Sequence, residues 1–124
     1  MLMFTVPGRL PGLNEYIDAC RRNRHAGGKM KKADQNLVSW HIRQQLRDRR
    51  ITGPVRMVYR WYEKDRRRDL DNIASYGRKI IQDALVSCRI LPDDGWNYIT
   101  GFEDNFFIDK KNPRIEVELW PVKK

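Results

Sequence analysis

Residues 55–88 read VRMVYRWYEKDRRRDLDNIASYGRKIIQDALVSC, and two different periods meet inside that one stretch. Val55, Met57, Tyr59 and Trp61 alternate with Arg56, Val58, Arg60 and Tyr62, a period of two that makes a strand with one apolar face and one arginine-bearing face. From Asp71 to Cys88 the apolar positions are Ile73, Tyr76, Ile80, Ile81, Ala84, Leu85 and Cys88, the spacing of a helix with one wide buried face. Asp71, Ser75, Lys79 and Asp83 step by four along the other side. Each step drifts by about 40°, so they form a slanting polar stripe.

Working outward, Leu2 to Val6 is a short apolar run closed by Pro7-Gly8, which reads as a strand followed by a turn. Ala33 to Asp48 carries Val38, Ile42 and Leu46 at four-residue spacing and predicts an amphipathic helix. Leu91-Pro92-Asp93-Asp94-Gly95 is a turn, Trp96 to Phe102 a strand, and Ile115, Val117 and Leu119 alternate with Glu116, Glu118 and Trp120 in a last strand. The expected order is β-α-β-α-β-β. Strands and helices interspersed in one small unit predict an α+β fold, a single domain over residues 1–124 with a mixed β-sheet packed against two main helices. No internal repeat or linker is visible.

The chain has 124 residues, and its 25 Lys and Arg against 16 Asp and Glu leave a net charge of +9. With 40% hydrophobic residues it holds enough apolar material for one core. No stretch approaches the roughly 18 apolar residues that span a bilayer, and Met1 to Leu10 lacks the apolar core of a secretory signal. Cys20 and Cys88 fit neither a disulfide framework nor a paired zinc motif, so a cytoplasmic protein with reduced thiols is expected. A strongly basic surface points to a polyanion, with nucleic acid first. Arg21, Arg22, Arg24, Lys29, Lys31 and Lys32 share a window without acids that also holds Gly27 and Gly28. It reads as a flexible basic loop over about 20–32, suited to tracking phosphates.

Against that background, Arg66-Arg67-Arg68 runs straight into Asp69-Leu70-Asp71-Asn72, where the alternating strand gives way to the helix. In an extended segment residues two apart point to the same side, so Asp69 and Asp71 can present both carboxylates to one point. Mg²⁺ is held by one or two carboxylates together with waters and phosphate oxygens, and such a pair is a partial cage for it. Asp93 or Asp94, in the turn after the helix, can return to the same rim as a third ligand. Carboxylates alone repel a phosphodiester, and arginines alone bind it without activating water. A metal resolves the conflict by polarising the phosphoryl oxygen and acidifying a bound water, while Lys79 on the polar stripe stabilises the developing charge. Each residue also has a plain structural role open to it: Asp69 or Asp71 as helix caps, Asp93-Asp94-Gly95 as a tight turn, Lys79 and Asp83 as a surface ion pair.

These residues resemble the RusA-like endodeoxyribonucleases, which resolve Holliday junctions in bacteria and their phages. The likeness rests on Arg-Arg-Arg-Asp-Leu-Asp-Asn at 66–72, Lys79 four before Asp83-Ala84-Leu85, and Asp93-Asp94 opening the following segment. Lys79 stands eight after Asp71, and Ser75 occupies the position four after it. The resemblance implies a homodimeric nuclease dependent on Mg²⁺, with Mn²⁺ able to substitute. It implies Asp69, Asp71 and Asp94 as metal ligands and Lys79 as the assisting cation; beside these, Asp83, as an outer-shell or helix-orienting residue, and Asn72 are further candidates. Arg66, Arg67, Arg68, Lys29, Lys31 and Lys32 are the candidates for gripping the DNA backbone. The expected substrate is branched DNA, four-way junctions above all, cut by paired nicks. The rivals are a DNA-binding module without chemistry, a less selective branched-DNA or flap nuclease, and a basic protein with no nucleic-acid role.

Overall fold

The computed structural model describes residues 1–123, in the order β1 (Leu2–Pro7), α1 (Leu13–Arg22), α2 (Ala26–Leu46), β2 (Val55–Glu63), α3 (Leu70–Ser87), β3 (Ile99–Ile108) and β4 (Arg114–Pro121). The strands form one mixed sheet in the order β1-β4-β2-β3. β4 runs antiparallel to both β1 and β2, while β3 lies parallel to β2, with α3 as the crossover between them. A parallel neighbour needs such a crossover, because a hairpin turn can only reverse the chain.

The alternation read along β2 is the burial pattern observed: Val55, Met57, Tyr59 and Trp61 are buried, as are Phe4 and Val6 on β1 and Ile115, Val117 and Leu119 on β4. They meet Val38, Ile42 and Leu46 of α2 and Ile73, Tyr76, Ile80, Ile81, Ala84 and Leu85 of α3 in one core. α3 approaches the sheet at Gly77, where a Cβ would stand 2.7 Å from the buried ring of Trp61. On the opposite sheet face Arg60 binds Glu116 at 2.7 Å and Glu118 at 2.8 Å, and Arg114 binds Glu116 at 2.9 Å. No helix among the described residues is long and apolar enough to cross a membrane.

The α+β class and mixed sheet stand as read, with one helix more than expected. The basic window is not a flexible loop: only Asn23, Arg24 and His25 separate α1 from α2, and Lys29, Lys31 and Lys32 lie on α2. Asn23 Oδ1 accepts the amides of His25 and Ala26 at 2.9 Å each, closing a tight turn. Gly27 is buried, and a Cβ there would fall 2.3 Å from the Cys20 sulfur, so glycine permits the two helices to touch. The pair Gly27-Gly28 is a poor helix former by propensity, and tertiary packing overrides it. The sequence conceals α1, because the Pro11-Gly12 pair just before it carries the residues of a turn. Gly12 is in fact its N-cap, and its amide donates to Glu15 Oε1 at 3.2 Å. β3 begins three residues later than expected and runs on to Ile108, because Trp96–Tyr98 belong to a turn while the later residues pair with β2 to Glu63.

Candidate active site

β2 ends on Glu63, which occupies the inward phase of the alternating strand and is buried. A buried carboxylate needs partners, and Arg68 supplies two bonds: Nε to Oε1 at 3.0 Å and Nη2 to Oε2 at 2.9 Å. Arg9 adds a third contact to Glu63 at 3.3 Å, and Arg68 Nη1 donates to the Leu10 carbonyl at 3.0 Å. This clamp ties the end of β2, the start of α3 and the segment after β1 together. Of the three arginines expected to grip DNA, Arg68 is therefore spent inside the protein, whereas Arg66 and Arg67 are exposed. The clamp was missed in the sequence, although a glutamate on the apolar phase of a strand is the signal that asks for a buried cation.

The residue after the clamp, Asp69, is the N-cap of α3 with extended backbone (φ −67°, ψ 155°), and Asp71 lies in the first helical turn. Same-side projection from an extended segment therefore does not apply to the pair, since Asp71 is already helical. Asp69 makes no side-chain cap bond. Among the described residues, neither carboxylate has a hydrogen-bond or ion-pair partner, and both are exposed at the positive end of the helix dipole. Beside them opens a cavity of about 500 Å³ whose lining includes Arg66, Asp69, Leu70, Phe106 and Phe107.

Asn72 does a different job. Its Oδ1 accepts the amide of Asn14 at 2.8 Å, and its side chain fills the space over Gly12, so it pins the start of α1 against the start of α3. Ser75, four after Asp71, donates back to the Asp71 carbonyl at 2.6 Å.

Further along α3 a second charged group forms. Lys79 Nζ lies 3.1 Å from Asp83 and 3.5 Å from Asp94, and Lys31 of α2 approaches Asp83 at 3.9 Å. The hydrogen bond to Asp83 raises the Lys79 pKa, helped by the charges of Asp83 and Asp94 and opposed by partial burial, so this lysine stays cationic. Of the two turn acids, Asp93 serves the turn by accepting the Gly95 amide at 3.1 Å, and Asp94 reaches back to the helix. Lys29 and Lys32 are exposed on α2.

The structure thus brings Lys79, Asp83 and Asp94 together and leaves Asp69 and Asp71 as a separate pair at the helix start. Asp71 and Lys79 are eight residues apart, about 12 Å along the helix axis. Among the described residues no group of three or more His, Cys, Asp or Glu side chains is gathered to hold a metal ion. The expected convergence of Asp69, Asp71 and Asp94 on one point is not formed within the chain, because the turn after α3 delivers Asp94 to Lys79. Two free, exposed carboxylates still fit Mg²⁺, which takes as few as one or two from the protein and the rest from water and phosphate.

No curated protein matches the chain. A family model does: Endodeoxyribonuclease RusA, over residues 14–120, a span that takes in α1 from its second residue, the Glu63–Arg68 pair, both carboxylate groups and the whole sheet except β1 and the last residue of β4. Spanning nearly all of the fold, with Asp69, Asp71, Lys79, Asp83 and Asp94 inside it, that match places the chain in the RusA family of endodeoxyribonucleases.

Proposed function

We propose that this protein is a Mg²⁺-dependent nuclease that acts on branched DNA and resolves four-way junctions by paired nicks, with Mn²⁺ able to replace Mg²⁺. The observation that carries the reading is the pair Asp69 and Asp71: two carboxylates without partners, exposed beside Arg66 and Arg67, in a chain of charge +9. Among the described residues no side chain pairs with either charge, which leaves only the α3 dipole to interact with them, and in a basic protein such acids are not needed for solubility.

Asp69 and Asp71 would hold the ion, while Asp94 would act from beside Lys79, which it contacts at 3.5 Å. When bound, the ion neutralises these carboxylates, polarises the phosphoryl oxygen and lowers the pKa of a bound water. The chain's own residues do the rest. Arg66 and Arg67 draw the phosphodiester toward the carboxylates, Lys29, Lys31 and Lys32 extend the cationic track along α2, and Lys79 offers its charge to the phosphate as negative charge builds. Asp83 holds Lys79 in place by the 3.1 Å contact. A homodimer with one site per subunit matches the two equivalent strands of a junction, so that the nicks are related by symmetry.

The test is cleavage of a labelled four-way junction, a replication fork and a plain duplex in Mg²⁺, with Asp71→Asn as the control. Junction cutting by the wild type and at least about a hundred-fold less by the variant, with DNA binding retained, is the expected result. Binding without cutting under any divalent ion identifies a DNA-binding module instead, and equal rates on all three substrates identify a less selective nuclease.

A further inference from the structure

We propose that Trp96 is a base-stacking residue, receiving an unstacked nucleobase of branched DNA and so holding the strand next to Asp94 and Lys79. This inference rests on the nuclease reading and adds to it a source of preference for branched over fully paired DNA.

Trp96 is 96% exposed, whereas Trp61 is 1% exposed in the core and the outer tryptophans Trp40 and Trp120 are 57% and 45% exposed. A tryptophan offers more apolar area than any other side chain, and one left wholly in water is an unmet driving force. Its presentation is built: Asp93 Oδ1 accepts the Gly95 amide at 3.1 Å, and the Gly95 carbonyl accepts the amides of Tyr98 at 3.1 Å and Ile99 at 3.0 Å. The turn is thus tied down on both sides of the ring, so little order is lost when the ring is covered.

Its place in the molecule says what covers it. Trp96 is two residues from Asp94, which Lys79 contacts at 3.5 Å, and it borders a cavity of about 260 Å³ shared with Asp94, Ile99 and Phe102. Asp93 and Asp94 repel a phosphate backbone brought directly over the ring, while the uncharged π-face of a base meets no such penalty. Bases inside a duplex already have both faces stacked, whereas a single strand or an opened branch point offers a free face. Stacking tolerates any base, so it selects structure and not sequence. A second copy of the chain is the weaker occupant, because a stable protein interface buries about 800 Å² per partner and a lone projecting ring with acidic neighbours is a small part of that.

The experiment uses the full chain as wild type, Trp96→Ala and Trp96→Phe. Binding to a four-way junction, a single strand and a plain duplex is titrated at fixed salt in EDTA, and junction cutting is followed in Mg²⁺. The alanine variant is expected to lose about 5- to 100-fold in affinity for the junction and the single strand, with duplex affinity and thermal midpoint unchanged. Trp96→Phe should recover most of the loss. Equal binding and cutting of the junction by wild type and Trp96→Ala overturns the inference and leaves the nuclease reading intact. A shift from dimer to monomer on sedimentation of Trp96→Ala also overturns it, in favour of a subunit contact. A wild type that binds but never cuts, with binding still lost in Trp96→Ala, overturns the nuclease reading and leaves stacking standing.

Discussion

Arg68 holds Glu63 by two parallel hydrogen bonds, Nε to Oε1 at 3.0 Å and Nη2 to Oε2 at 2.9 Å, with side-chain exposures of only 13% and 6%. Breaking a buried pair by removing one partner leaves the other charge stranded and typically costs about 3–5 kcal/mol. Glu63→Ala is expected to lose about that much in a urea titration. A loss under about 1 kcal/mol would show the clamp to be no stronger than a surface pair.

The neighbouring arginines should behave in the opposite way. Arg66 and Arg67 are exposed, and the Arg67 guanidinium makes only a long contact to Asp65 at 3.7 Å. Removing either is expected to change stability by less than about 0.5 kcal/mol while lowering the salt dependence of DNA binding by about one phosphate contact each. Affinity measured across a salt series checks this, and Arg68→Ala, destabilised without a matching change in slope, is the contrast.

Gly77 sets how closely α3 sits on β2. Alanine in a helix gains up to about 1 kcal/mol over glycine, but its Cβ would meet Trp61 at 2.7 and 2.8 Å, and that ring is fully enclosed. Overpacking costs about 1–3 kcal/mol, so a net loss of up to about 2 kcal/mol is expected for Gly77→Ala in thermal unfolding. A stabilised variant would mean that the helix can lift off the sheet cheaply.

Two buried phenols set an alkaline limit. Burial pushes the Tyr59 hydroxyl far up, only partly countered by the bond from Gln82, and burial together with the hydrogen bond to Asp34 at 2.6 Å does the same for Tyr76. A group whose pKa is raised by folding contributes stability that is whole below its unfolded value, about 10 for tyrosine, and is lost as pH rises beyond it. Stability should therefore fall steeply above about pH 10, with these two tyrosines ionising only as the chain unfolds. Tyrosinate absorbance followed alongside circular dichroism tests it: ionisation of all five tyrosines ahead of unfolding would contradict the prediction.

Much of this protein was legible in its residues because the informative signals are local and periodic. Val55, Met57, Tyr59 and Trp61 could only be one face of a strand, and Ile73 to Leu85 only one face of a helix, whatever lay around them. The motif from Arg66 to Asn72 likewise marked the strand-to-helix passage, and with Lys79, Asp83 and Asp94 it marked the family.

What tertiary structure alone decided is where the charges finish. Gly27 and Gly28 became helix because Cys20 packs against the first of them, a contact between residues of two helices that no local propensity contains. Asp94 went to Lys79 rather than to Asp69 and Asp71 because the turn after α3 delivers it there. Arg68 was withdrawn from the surface by Glu63. Periodicity is a property of neighbours along the chain, while pairing of charges depends on which distant segments the collapsed core brings within about 4 Å, and that is settled only when the whole fold closes.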